Sequence, residues 1–578
     1  MPVARFNQAF YFFVANQLKS MNSMPDVVCN DFDIVRAAVH RPHSGDKNSR
    51  NAGKRAEIGF SKRLRLNSDR ERAQAYENPK YAKYYLAAFF VLLAGIIVLY
   101  YYSSPGIYPP FDDSIYAYSV VKLPILSTAP WTVSAFGFAV MEFPFYALLH
   151  SAYATEFPPL ITIAFAMVCL LWIGKEFGNF LAGVVAAALY AFNPLVMMYG
   201  IRLLPDPYIA MVDAAGILLA LFAIKRRSLP IALFSGMAVG AGVFFGNQAA
   251  FSIISYVPFL ALLLYFSRFK IEKAWLAKAF AFAIVGIAIF SIVYFGQQAL
   301  MYGNPLFGMQ GQEAYISPRY GSVNIVPSYM FYFYTMLPIK YTSGFPGNPS
   351  YGESPYANMG ILFALFAAGT AYLLAFSRPK KGAIMPLIAF AAIFYLVISI
   401  LPAGNGEYGV EDLTRLLIPV ALVLSIACGI FMAELANGKG KRILRISVFF
   451  AILIIYLAVS FSFYPTIRHN YSSQSYAWNI TYSATAKINS LNFTNYELIE
   501  NYTNMPYILC MGAKNQPYSC GGVVVPWRRI ACNNINETVL YRGSSPSSIC
   551  PQSKNYTTSY YYNSTYNYSI YAVREAEK

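Results

Sequence analysis

Apolar runs of roughly 18–22 residues, long enough to cross about 30 Å of hydrocarbon, recur along most of this 578-residue chain. Such runs restrict the fold, because backbone polar groups inside a bilayer must be satisfied internally and only helices and closed barrels achieve that. The spacing predicts spans at 84–102, 157–174, 178–198, 207–224, 229–246, 250–267, 278–299, 357–376, 383–402, 415–435 and 443–463. The fold class expected is therefore an all-α polytopic membrane protein of about 11 transmembrane helices. Composition agrees: 57% of residues are hydrophobic and only 12% charged, against about 25% charged in soluble domains.

The net charge of +17 does not point to nucleic acid, because the cations are split into short clusters between the apolar runs. With the N-terminus in the cytosol, Lys80 and Lys83, Lys175, Lys225 to Arg227, Arg268 to Lys278, Arg378 to Lys381, and Lys439 to Arg445 all fall on the cytosolic side. That is the positive-inside bias. An odd number of spans then places the C-terminus outside.

Three regions follow from that topology. Residues 1–83 read as a basic, partly disordered cytosolic tail, without the apolar core of a signal peptide. Residues 84–463 form the membrane domain, with large outer loops at 103–156 and 300–356. Within the first loop, the apolar stretch 135–153 is broken by Glu142, Pro144 and His150 and reads as interfacial helices rather than a span. Residues 464–578 form an extracytoplasmic segment rich in Tyr, Asn, Ser and Thr.

This last segment carries sequons at Asn470, Asn479, Asn492, Asn501, Asn536, Asn555, Asn563 and Asn567. It also holds Cys510, Cys520, Cys532 and Cys550, as disulfide candidates. Glycosylation and lasting disulfides both require an extracytoplasmic setting, although an Asn/Ser/Thr-rich tail also generates sequons by chance. Four cysteines allow three pairings, and the spacing does not choose among them. The run GGVVVPW at 521–527 suggests a small β-containing domain.

Charge is scarce here, so the ionisable residues at the outer ends of spans carry the functional information. Ionisable groups at membrane depth are costly and serve a function or pair with one another. Asp112 and Asp113 open FDDSIYAYSVV, where a helix would put Asp112 and Tyr116 on one face. A partly desolvated acid there suits a general base towards a hydroxyl; an N-cap is the plainer reading. In YGIRLLPDPYIAM, Arg202 and Asp206 either pair with each other or separate into an anion-binding cation and a site carboxylate. Arg415, in DLTRLLIP, either grips a phosphate bidentately or anchors its helix at the headgroups. The chain has no GxxxxGK[ST], HExxH or CxxC, and its four histidines are scattered, so a His-based metal site is not expected. Cys169 and Cys428 lie inside spans and read as buried apolar fillers.

In order, spacing and sidedness these features resemble the lipid-linked-sugar glycosyltransferases of the GT-C fold, in the branch of protein O-mannosyltransferases and aminoarabinose transferases. The resemblance covers about residues 84–435. It rests on the acidic pair followed by Tyr in FDDSIYAYSVVKL, the Arg before an Asp in IRLLPDPYIAMVDAAGILLALFAI, YGNPLF at 302–307, NMGILFALFAAGTAYLLAFSR and TRLLIP. The chain departs from the family at Asp113, where Glu is usual. It departs again at EFPFYAL, in place of a Pro-Pro-Leu phrase, and at FFGNQAA, where a Lys is often found. The Trp-Trp-Asp motif of the oligosaccharyltransferase branch is absent from the C-terminal segment.

The resemblance implies a membrane glycosyltransferase that moves a hexosyl or pentosyl group from a polyprenyl- or dolichyl-phosphate donor, with inversion, to an acceptor hydroxyl on the outer face. The acceptor is a protein, a glycan or a lipid. It implies catalytic roles for Asp112, Asp113 and Asp206, and donor-phosphate contacts from Arg202, Arg319, Lys340 and Arg415. Tyr116 and Glu142 fall to the acceptor or sugar, and a divalent metal at the acidic pair is left open. The rival reading is a multi-span transporter or flippase, for which internal repeats and midplane charges would be expected.

Overall fold

The computed structural model describes residues 79–103, 136–149, 157–267, 271–307, 333, 336–337, 358–377, 380–400, 414–437, 441–465 and 467–468, and the backbone of strands at 496–500, 522–524, 538–542, 556–563 and 568–575. In chain order the helices are α1 (Pro79–Ser103), α2 (Phe136–Leu149), α3 (Phe157–Phe177), α4 (Phe180–Ala191), α5 (Pro194–Tyr199), α6 (Pro205–Arg226) and α7 (Leu229–Gly240). They continue with α8 (Ala249–Ser267), α9 (Lys273–Tyr302), α10 (Leu362–Phe376), α11 (Lys381–Ile400), α12 (Ile418–Asn437) and α13 (Arg442–Ser462). Short 3₁₀ turns extend α7 over Ala241–Phe244 and lead into α12 over Arg415–Leu417.

Among the described residues, 8 helices are long and apolar enough to cross a membrane. Three further expected spans, at 178–198, 229–246 and 357–376, hold shorter apolar helices: Phe180–Ala191, Leu229–Phe244 and Leu362–Phe376. Local chemistry explains the first. Asn193 ends the run after α4 by capping α5, its Oδ1 accepting from Leu195 N at 3.0 Å with Pro194 at the first helical position. The stretch read as interfacial contains α2, 14 residues long, about 21 Å at 1.5 Å per residue and too short to span.

α12 forms the centre of the bundle and is almost wholly buried. Helices α3, α4, α6, α10, α11 and α13 pack around it. On its other side α6 packs against α7 and α8, and α7 lies along α9. Close approach depends on missing side chains, as at Gly429, where a Cβ would run into the Ala182 carbonyl of α4, and at Gly236, where one would run into the Ala283 carbonyl of α9. By contrast, α1 and α13 sit on the periphery. Val91 is 74% exposed and Ile443 83%, and such apolar surface is stable only against lipid. Cys169 and Cys428 are buried and free, as fillers of the core.

In the C-terminal segment the described backbone forms β1 (Tyr496–Glu500), β2 (Gly522–Val524), β3 (Thr538–Arg542), β4 (Tyr556–Asn563) and β5 (Tyr568–Glu575). They make one mixed sheet in the order β2-β1-β3-β5-β4. β1 pairs in parallel with β2 and β3, while β5 runs antiparallel to β3 and β4. The GGVVVPW run holds β2. Asn563 ends β4; the other sequon asparagines and Cys510, Cys520, Cys532 and Cys550 lie outside the described residues.

Candidate functional site

Chain geometry brings Asp206 and Arg415, 209 positions apart in sequence, to one place. Pro205 takes the first position of α6, where its missing N–H costs nothing and its fixed φ suits the helix. Asp206 therefore stands in the first turn, where the helix dipole favours a negative charge. The two prolines flanking Asp206 start the helix rather than break it. Arg415 opens the 3₁₀ turn before α12, and its Nε lies 3.3 Å from Asp206 Oδ2.

Both side chains are enclosed, with relative exposures of 10% for Arg415 and 1% for Asp206. An ion pair at that burial is strong only while both partners remain, since either charge alone would be stranded in a poor dielectric. Next to Arg415, Thr414 Oγ1 donates to the Tyr199 hydroxyl at 3.1 Å. Tyr199 is the last residue of α5, and the Arg202 guanidinium lies over its ring at 5.7 Å from the centroid. Thr414 and Tyr199 thus link the neighbourhoods of Arg415 and Arg202, two residues that local sequence reading treated separately.

A second group of enclosed side chains adjoins Asp206. Tyr208, two residues further along α6, stacks on Phe245 at 5.1 Å between centroids, and Phe138 of α2 meets both rings edge-on, at 4.7 and 5.5 Å. Glu142 stands one turn beyond Phe138 on α2 and is fully buried. From α9, the Tyr294 hydroxyl donates to Asn247 Oδ1 at 2.9 Å.

Deeper along α6, Asp213 is completely buried and accepts a hydrogen bond from Ser252 Oγ at 2.6 Å. Sequence reading passed over Asp213 as part of an apolar run. The available signal was its position: a carboxylate in the middle of a span, seven residues after Asp206 and hence on the same helix face.

Among the expected site residues the structure thus joins Asp206 to Arg415, sets Arg202 against Tyr199, and buries Glu142. Asp112, Asp113, Tyr116, Arg319 and Lys340 lie outside the described residues, so the acidic pair, and any divalent metal on it, stays an expectation from sequence. Among the described residues there is no group of three or more His, Cys, Asp or Glu side chains placed to hold a metal.

No protein-family model and no curated protein matches the sequence. The fold does have relatives among solved structures. An aminoarabinose transferase, ArnT from Cupriavidus metallidurans bound to undecaprenyl phosphate, superimposes with a TM-score of 0.52 at 11% identity, over 84% of this chain and 97% of that one. Its apo form gives 0.51 at 11%, over 85% and 98%. The archaeal oligosaccharyltransferase AglB from Archaeoglobus fulgidus, in complex with an inhibitory peptide and a dolichol-phosphate, gives 0.50 at 12%, over 84% and 74%. At these identities the likeness shows the fold alone, the GT-C fold.

Proposed function

We propose that this chain is a membrane glycosyltransferase that moves a sugar from a polyprenyl- or dolichyl-phosphate donor to an acceptor hydroxyl. The observation that carries this reading is the enclosed Asp206–Arg415 pair, with Arg202 close by, in a fold shared with ArnT and AglB. Those two neighbours were captured with undecaprenyl phosphate and a dolichol-phosphate respectively. A lipid phosphate needs a cationic receptor at the membrane surface, and guanidinium is the side chain whose fork of donors matches phosphate oxygens. Asp206 holds Arg415 by its Nε, which fixes the plane of the guanidinium fork.

In the proposed reaction the acceptor oxygen attacks the anomeric carbon from the face opposite the leaving phosphate. The bond from carbon to phosphate oxygen breaks, and configuration inverts. Asp112, supported by Asp113, takes the acceptor proton. The charge that develops on the lipid phosphate is met by Arg415 and Arg202, with Arg319 and Lys340 from the large outer loop. Asp206 acts by holding Arg415, and Tyr116 and Glu142 face the acceptor or sugar. Eleven crossings, with a cytosolic N-terminus and an outer C-terminal segment bearing the sequons, complete the proposal.

The test is transfer from a panel of radiolabelled polyprenyl-phosphate sugars in proteoliposomes, with Asp112→Asn and Arg415→Gln beside the wild type. Label reaching an acceptor in the wild type, lost in Asp112→Asn and reduced in Arg415→Gln, is the expected result. A folded wild type that transfers from no donor would overturn it and favour a transporter or flippase.

A further inference from the structure

A carboxylate buried in the membrane is costly, and Asp213 is the acidic residue of the bundle whose environment is best defined. It lies on α6 seven residues after Asp206, on the same face and about 10 Å deeper. Its Oδ2 accepts from Ser252 Oγ of α8 at 2.6 Å, while its Oδ1 is buried with no hydrogen-bond partner. One turn beyond Ser252 on the same face of α8 stands Tyr256. Its hydroxyl is hydrogen-bonded to Ser235 Oγ of α7, and Ser235 donates to the Gly216 carbonyl of α6 at 2.7 Å. Asp213 and Gly216 of α6 thus face a polar stripe of Ser252 and Tyr256, amid otherwise apolar packing.

Interlocked apolar faces already restrict sliding, and a buried hydrogen bond between two helices adds a directional constraint on both height and rotation. At the outer end of the same pair, Phe245, four residues before α8, stacks on Tyr208, two residues after Asp206. We infer that Asp213 is a positioning residue. Through Ser252 it sets the height and rotation of α6 against α8, and thereby holds Asp206 where it meets Arg415. In its effect on turnover the inference rests on the transferase reading; in its effect on helix register it does not.

The decisive variant replaces both partners, Asp213→Leu with Ser252→Ala. Removing two buried polar partners together leaves neither stranded, so folding is expected to persist with Tm close to the wild type. Turnover is expected to fall by about tenfold or more, the scale at which small misplacements act. Asp213→Asn keeps an oxygen for the Ser252 hydroxyl and is expected to retain wild-type turnover. Should the double variant not fold, Ser252→Ala alone, which removes the donor, is expected to lower turnover in the same way.

Register is read independently by a cysteine pair at Pro205 and Gly246, where a Cβ on Gly246 would stand 3.0 Å from Pro205 Cβ once the Gln248 side chain moves aside. That is close enough for a disulfide with a slight adjustment. Cross-link yield, read by mass spectrometry of the joined peptides, should be high in the wild-type background and fall severalfold with the double substitution. Full turnover in the folded double variant, an unchanged cross-link yield, or an Asp213→Asn as impaired as the double variant would each overturn the inference. If no donor supports turnover in the wild type, the transferase reading fails and the cross-link alone decides the role of Asp213.

Discussion

At the residue scale, the Asp206–Arg415 pair makes the sharpest demand. Arg415→Gln leaves the Asp206 carboxylate enclosed without its cation, and losing one partner of a buried pair costs about 3–5 kcal/mol. A clear drop in Tm is expected, measured by a thermal melt in detergent, together with weaker binding of a polyprenyl phosphate. Asp206→Asn should cost less binding, since it frees rather than removes the guanidinium. Both residues stood out in the sequence because charge is rare in this chain, but their pairing did not. A contact across 209 positions is set by how α6 and α12 cross, and nothing local to either segment encodes it. Tyr199 and Thr414 were illegible for the same reason: a Tyr and a Thr at span ends are ordinary until the fold places one hydroxyl against the other.

A second residue makes a pH prediction. Lys380, just before α11, donates from Nζ to the Phe177 carbonyl at the end of α3, at 3.0 Å. Burial pushes its pKa below the usual lysine value of 10.5, against an opposing pull from the Glu434 carboxylate. Between that lowered value and the unfolded one, the unfolded chain binds more protons than the folded, so stability rises with pH across the window. Lys380→Met should lose that rise. Tm measured from neutral pH to about 10.5, for wild type and variant, checks it; parallel curves would remove the residue from the account.

At the element scale, the apolar runs were legible because bilayer thickness sets a length that composition must meet. The shorter helices were not, because α4 and α7 end where a cap or a 3₁₀ turn intervenes inside an otherwise apolar sequence, and hydropathy averages over such details. Asp213 was hidden in the same way, one carboxylate in a long apolar window. Close packing of elements was likewise invisible: Gly236 reads as one glycine among many until Ala283 of α9 is found across from it. Gly236→Leu must push the α7 and α9 backbones apart, and overpacking of this kind typically costs about 1–3 kcal/mol. The expected outcome is a lowered Tm. Gly296→Leu, where a Cβ would meet nothing within 4 Å, should leave Tm near the wild type and serves as the control.

At the scale of the whole molecule, the basic clusters and the helix order make one joint statement about sidedness that can be tested without any substrate. α6 is capped by Arg227, whose φ of 51° turns the chain left-handed. From there α7 with its 3₁₀ extension, α8 and α9 lead to Gly303, with φ of 69°. If each of the three crosses the membrane, Arg227 and Gly303 lie on opposite faces, and the positive-inside bias predicts that Arg227, beside Lys225 and Arg226, is the cytosolic one. The α7 crossing is the weakest link, since Leu229–Phe244 spans only about 24 Å at 1.5 Å per residue. Single cysteines at Arg227 and Gly303 in sealed right-side-out vesicles decide the matter. An impermeant maleimide should label the Gly303 position at once and the Arg227 position only after permeabilisation. Labelling of neither until permeabilisation would mean that α7 does not cross. The outer placement of every later segment, the sequon-bearing C-terminal region included, would then reverse.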